Sequence, residues 1–142
     1  METPLLGKLR KDDATSSEVV DAIVYRQLMG SLMYLVNTRT NICYVVNQLS
    51  QAMIKLTKLF WKAGKHVLRY LRGTTKYGLW YKKTWGVKFQ GFTDADWESI
   101  PSKRTSTSEG IFNIGSTTIS WYNRKQRSVA LSSTEAKYKA AN

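Results

Sequence analysis

The chain has 142 residues, 42% of them hydrophobic and 12% aromatic, and a formal net charge of +12. That is enough for one domain with a core, or for parts of two, and it excludes wholesale disorder. The single cysteine excludes an internal disulfide, and the single histidine excludes a histidine-built metal cluster or a conventional catalytic triad.

No apolar run approaches the ~20 residues of a membrane span. The charge is unevenly placed: residues 1–57 hold six Lys/Arg against five Asp/Glu, residues 58–142 sixteen against five. A basic excess confined to one part points to a polyanion partner, most often nucleic acid.

Residues 1–21 carry Pro4, Gly7, Asp12, Asp13, Ser16 and Ser17 among few apolar residues, which predicts a flexible lead-in. It has no apolar core of a signal peptide, so an intracellular protein is expected. Residues 22–76 then read as a helical region. Ile23, Leu28, Leu32, Leu35 and Val36 approach helical spacing over Ala22–Val36, with Asp21 as N-cap. Thr40 or Asn41 is expected to cap a second helix running to about Met53, with Ile42, Val45, Val46, Leu49 and Met53 on one face. Cys43 lies in the apolar run of that helix and reads as a buried small hydrophobe.

The third helical stretch, about Thr57 to Arg72, is two-faced. At 100° per residue, Lys58, Lys62, Lys65, Arg69 and Arg72 fall within roughly 80° of one another. Leu59, Ala63, Val67, Tyr70 and Leu71 fill the opposite face, and Gly73 reads as the residue just past the helix. Like charges at i,i+4 cost roughly 0.2–0.5 kcal/mol per pair in an isolated helix. A basic stripe without interleaved acids therefore suits a phosphate backbone as partner. Gly64 within the stretch costs it ~1 kcal/mol against Ala.

From residue 77 the period changes to about two. Tyr77–Tyr81 is a short strand candidate, Lys83–Gly86 a turn, and Val87–Asp94 a strand. Residues 98–107 read as a loop. Gly110–Ile114 and Thr117–Tyr122 form two strands joined at Gly115-Ser116, and a helix starts at Ser132 or Ser133 with Glu135 in its first turn. The fold class expected is α+β: an N-terminal helical segment, then a three-stranded antiparallel sheet and one helix over residues 77–142.

The stretch Gly91-Phe92-Thr93-Asp94-Ala95-Asp96-Trp97 ends its strand in two carboxylates two residues apart, on one face of the sheet. This is either a solvated strand end or half of a divalent-metal site. Packing the last helix across the sheet can bring Glu135 to Asp94, and two such carboxylates suit Mg²⁺ through oxygen ligands. Glu135 taken alone reads first as an acid stabilised by the helix dipole.

At these residues the chain resembles the Pol polyprotein of copia-type retrotransposons, from the tail of the reverse transcriptase into the ribonuclease H domain. The matching segments are Tyr25-Arg-Gln-Leu-Met-Gly-Ser-Leu-Met-Tyr-Leu, Val67-Leu-Arg-Tyr-Leu-Arg-Gly-Thr, Gly91-Phe-Thr-Asp-Ala-Asp-Trp, Ile119-Ser-Trp and Lys125-Gln-Arg-Ser-Val-Ala-Leu-Ser-Ser-Thr-Glu-Ala. They occur in the family's order over residues 22–142.

The resemblance implies a ribonuclease H-like fold with Asp94 and Glu135 as the first two of four acidic residues that hold two Mg²⁺ ions. Those ions serve cleavage of the RNA strand of an RNA–DNA hybrid. It places Lys58, Lys62, Lys65, Arg69 and Arg72 against template–primer, and the rest of Pol as partner. It implies further that the other two carboxylates lie beyond Asn142 and the polymerase's paired aspartates upstream of Met1, so the chain alone is expected to be inactive.

Several positions depart from the family pattern. Thr40-Asn41 stands for Pro-Asp, Phe60 for His, Glu109-Gly110 for Gly and an aromatic, and Lys137 for the second Glu of Thr-Glu-Ala-Glu-Tyr. Lys137 lies about 200° from Glu135 on a helix and is not expected to neutralise it. A non-catalytic nucleic-acid-binding module is the alternative reading. A second is a secreted effector, since Arg69-Tyr70-Leu71-Arg72 matches the oomycete Arg-x-Leu-Arg pattern.

Overall fold

The computed structural model describes residues 3–4, 21–53, 56–83, 85–97 and 105–141, which divide into two compact units, Met1–Gly78 and Leu79–Asn142. Most of the expected lead-in, Thr84 of the expected turn and residues 98–104 of the expected loop lie outside the described residues.

Among the described residues the first unit has three α-helices around one apolar core. Helix α1 spans Ala22–Val36, as its periodicity predicts, and the Asp21 carboxylate caps it by accepting from the backbone N–H of Ile23 (2.8 Å) and Val24 (3.3 Å). Its core face is Tyr25, Met29 and Leu32, and Ile23 is exposed. The Tyr25 hydroxyl donates to the Leu49 carbonyl at 2.8 Å. Burial pushes that phenol's ionisation well above its ordinary range.

A 3-10 turn at Thr40–Ile42 leads into α2, Cys43–Ser50. Neither Thr40 nor Asn41 caps it; no side chain does. Asn41 is engaged elsewhere, donating its amide to the Tyr70 hydroxyl at 2.6 Å and accepting from Arg39. The helix stops short of Met53, with the Ser50 hydroxyl turned back onto the Asn47 carbonyl at 2.8 Å. Ile42, Val45, Val46 and Leu49 are buried, while Cys43, expected to be buried, is only partly so.

Helix α3, Lys58–Gly73, buries Phe60, Gly64, His66, Val67 and Tyr70. Gly73 is not a left-handed residue beyond the helix but its last residue. The end is closed instead by Thr74, whose hydroxyl donates to the Tyr70 carbonyl (2.9 Å) and accepts from Arg39 (2.7 Å). Arg39 also donates to the Thr74 carbonyl at 3.0 Å, so a cation sits where the helix dipole favours one. Gly64 has a packing reason: a Cβ there would lie 3.2 Å from Leu28 Cδ2 and within 4 Å of Met29 and Tyr25. Side chains of α1 thereby pack directly onto the α3 backbone at Gly64.

The second unit is α+β. Strands β1 (Phe89–Asp96), β2 (Thr107–Ile114) and β3 (Thr117–Lys125) form an antiparallel sheet in the order β1-β2-β3, followed by α4 (Ser133–Ala141). The β2–β3 turn uses Gly115 at φ +61°. The expected strand at Tyr77–Tyr81 does not form. That segment is irregular and is tied to β3 through the Thr117 hydroxyl, which donates to the Trp80 carbonyl (2.6 Å), and the Tyr81 hydroxyl, which donates to the Thr118 carbonyl (3.4 Å).

Small residues dominate the interior here. Among the described residues the buried ones are Ser106, Thr107, Ser108, Gly110, Thr117, Ala130, Ala136 and Ala140. Gly110 is the tightest point, since a Cβ there would overlap the ring of Tyr122 on the next strand. Tyr122 in turn donates its hydroxyl to the Ala140 carbonyl of α4 at 3.0 Å.

The two glycines should respond differently to alanine. Gly64→Ala is expected to change stability by under about 1 kcal/mol, because the helix gain offsets displacing one flexible leucine. Gly110→Ala is expected to cost about 1–3 kcal/mol by overpacking against an aromatic ring. Urea unfolding followed by circular dichroism checks both; equal losses would contradict the packing described.

Candidate functional site

The candidate carboxylates come from β1 and from the first turn of α4, which packs against β1 and β2. Asp94 is opposite Glu109 on β2, and Glu109 is opposite Asn123 on β3. Directly opposite side chains share a face, so this row joins two carboxylates and an amide. The Asn123 amide donates to the Glu109 carboxylate. The next row, Thr93, Gly110 and Tyr122, is the one that meets α4 through Tyr122. Successive rows point to opposite faces.

Asp94 is consequently not turned onto α4. Its carboxylate accepts from the Ala95 N–H at 2.8 Å and receives one ion pair from that helix, Lys137 Nζ at 3.7 Å. Both partners are largely exposed, so the pair contributes little to stability. Glu135 is held by other groups. Its carboxylate pairs with Lys139 Nζ at 2.7 Å and accepts from the Leu131 N–H at 2.7 Å, while its own N–H donates to the Ser132 hydroxyl at 3.1 Å. This is a variant of the capping box, with Ser132 as the N-cap.

The bond from Lys139, and next that from the Leu131 N–H, hold the Glu135 carboxyl below its ordinary range. Each candidate carboxylate is thus matched to its own lysine. Lys137 leaves Glu135 alone, as the helix geometry implies, but reaches a target on another element that no one-dimensional spacing contains. Asp96 is opposite Thr107 on β2. Among the described residues no three His, Cys, Asp or Glu side chains converge as a metal cage requires.

Glu109 is the residue the sequence left without a role. It was visible only as a departure from the family pattern, and the strand register alone places it beside Asp94.

The basic stripe is in the first unit. On α3, Lys62, Lys65, Arg69 and Arg72 are exposed and Lys58 is half-exposed. The Lys65 ammonium lies 5.0 Å from the centroid of the Trp61 ring. No acidic residue stands between Lys58 and Arg72, and the exposed Lys62, Lys65, Arg69 and Arg72 gather positive charge along one helix face.

Compared with known proteins, the chain is 38% identical over 97% of its length to the retrovirus-related Pol polyprotein from transposon RE2 of Arabidopsis thaliana. It is 36% identical over 99% of its length to the retrovirus-related Pol polyprotein from transposon TNT 1-94 of Nicotiana tabacum. The chain belongs to the copia-type retrotransposon Pol polyproteins.

It spans about a tenth of these Pol polyproteins, 10% of the first and 11% of the second. A shorter relative of this Pol segment is secreted RxLR effector protein 161 of Plasmopara viticola, 41% identical over 83% of this chain and 84% of that one. No family profile and no solved structure matches. Among the described residues no helix is long and apolar enough to cross a membrane.

The linkage of Glu135 has a definite sign. Its folded-state ionisation lies below the unfolded value, so its contribution is present above about pH 4.3 and lost as pH falls through the lower folded value. Glu135→Gln is expected to lower the melting temperature at pH 7, with the gap from the unmodified chain closing below pH 4. A gap unchanged by acid would contradict the capping role.

Proposed function

We propose that this chain is the segment of Pol in which the end of the reverse transcriptase passes into ribonuclease H, that it binds nucleic acid through α3, and that it is silent as a nuclease. Three features support the reading. A helical unit carrying a one-sided basic stripe precedes a three-stranded meander. The meander is followed by a helix with Glu135 in its first turn. Asp94 lies near the end of β1 at the position of the family's first metal-binding carboxylate, and Glu135 corresponds to the second.

One observation carries the silence. Lys137 stands 3.7 Å from Asp94 and Lys139 2.7 Å from Glu135, so each carboxylate faces its own lysine, loosely at Asp94 and closely at Glu135. Mg²⁺ demands near-ideal octahedral oxygen coordination. The donor set around Asp94 and Glu135 does not fit it. In ribonuclease H the pair of ions would activate water and stabilise the departing oxygen.

The effector reading has less behind it. Tyr70 of Arg69-Tyr70-Leu71-Arg72 is buried in α3 and bonded to Asn41, and Leu71 is half-buried. The two middle residues of that segment are thus spent on packing. The partner class that remains is a nucleic acid, with the rest of Pol in the intact family.

Two measurements test the proposal. An RNA–DNA hybrid incubated with the full chain and Mg²⁺ should remain intact; cleavage that disappears in Asp94→Asn would overturn the silence. Replacing Lys62, Lys65, Arg69 and Arg72 together by Gln should weaken hybrid binding and reduce the slope of log affinity against log salt by about 3 to 4. An unchanged slope would remove α3 from the interface.

A further inference from the structure

Unit two carries a run of exposed aromatic side chains; of these Phe89 also stacks on Phe112 of β2, 6.0 Å between ring centroids. Trp80 is 83% exposed, Trp85 94%, Tyr81 64% and Phe89 63%. Burying a tryptophan is ordinarily among the most favourable things a chain can do with it, so two nearly bare ones close together mark a surface with a use. Lys82, Lys83 and Lys88 are interleaved with them and also exposed. No Asp or Glu occurs from Leu79 to Thr93.

The segment is held in place by its backbone and by one ring. The Thr117 hydroxyl holds the Trp80 carbonyl at 2.6 Å, and the Tyr81 hydroxyl donates to the Thr118 carbonyl at 3.4 Å. The Lys88 carbonyl accepts from the Gly115 N–H at 2.9 Å, and Gly86 turns the chain at φ +70°. The backbone at Trp80 and at Lys88 is thereby held at the β2–β3 turn end of the sheet, with Trp85 between them in the chain. Lys83 Nζ lies 5.9 Å from the Trp85 ring centroid, so one cation and one π-face are presented together.

We propose that Trp80, Tyr81, Trp85 and Phe89 form a stacking platform for single-stranded nucleic acid, separate from the α3 stripe. The occupant must offer flat faces to the aromatic rings and negative charge to the lysines, with no cation requiring an acidic partner. A single strand does both, because its bases are free to leave one another for a side-chain ring. A duplex offers its backbone but keeps its bases stacked inside. A protein partner of purely apolar character would leave Lys82, Lys83 and Lys88 desolvated without counter-charge. The inference extends the nucleic-acid part of the proposed function and rests on it only for the class of ligand.

The test uses the full chain with fluorescein-labelled dT15, rU15 and a blunt 15-base-pair duplex, read by anisotropy. It compares the unmodified protein with Trp80→Ala/Trp85→Ala and with Lys82→Gln/Lys83→Gln/Lys88→Gln. The four α3 substitutions named above are run alongside. The single strands should bind more tightly than the duplex. The double Trp variant should lose at least about fivefold for each stacked base, with duplex binding unchanged. The Lys variant should weaken single-strand binding and flatten its salt dependence.

Melting curves of these surface variants should match the unmodified chain. Equal affinity for single strand and duplex, or no effect of the Trp substitutions, overturns the platform and leaves the α3 reading standing. Loss confined to the Trp and Lys82/Lys83/Lys88 variants, with the α3 variant unaffected, supports the platform and removes α3. A dimer in sedimentation that the Trp substitutions dissolve would also overturn it, since a second copy would then be the occupant. The dT15 and rU15 arms decide between DNA and RNA.

Discussion

Tyr122 lying over Gly110 and reaching the Ala140 carbonyl is the contact on which the second unit depends. It joins β2, β3 and the C-terminal half of α4 through one side chain. With the helix pinned there, its first turn is delivered to the region of β1 and Lys137 comes within reach of Asp94. The Gln126 amide adds a second bridge, donating to the Ser108 hydroxyl at 2.9 Å and to the Ala136 carbonyl at 2.8 Å. The interior between helix and sheet is built from Ala, Ser, Thr and Gly, which bury modest apolar area, so a single aromatic with a hydrogen-bonding tip carries an unusual share of the docking. A glycine at 110, where the family pattern has an aromatic, is what makes room for the ring.

The first unit is organised on the opposite principle. Its core of Tyr25, Met29, Leu32, Ile42, Val45, Val46, Leu49, Phe60, Val67 and Tyr70 is large and apolar. Its polar contacts sit at helix ends: Asp21 at the start of α1, Arg39 and Thr74 at the end of α3. The stability of this unit leaves the outer face of α3 free to carry like charges, whose mutual repulsion a core of this size can bear. In the second unit, by contrast, the acids Asp94 and Glu135 are each met by a lysine from the same short helix.

Much of this was readable from spacing. Helix α1 has the bounds its periodicity predicts, the α3 stripe follows from the 100° rotation per residue, and the meander follows from the change of period to two. What spacing could not supply were relations between elements. Tyr77–Tyr81 has the composition of a strand, but a strand also needs a partner ladder, and only side-chain and carbonyl links reach it. Phe60 looked like a departure from a pattern and is a core residue. Gly73 looked like a helix terminator, a duty taken by Thr74 because Arg39, 35 residues away, could reach it. The candidate site divides in the same way. Glu135 in a capping position was legible from Ser132, whereas Glu109 beside Asp94 and Lys137 reaching across to β1 are facts of register and docking.

The capping role of Glu135 has a consequence for how this chain can be interrogated. Its side chain closes the start of α4 whether or not anything is ever hydrolysed, so its presence says nothing about retained chemistry. A residue with a scaffolding duty is a poor reporter: changing it perturbs architecture and any chemistry at once. Asp94, exposed and weakly tethered, has no such second duty. Of the two carboxylates it alone can be altered while the frame around it stays as it was.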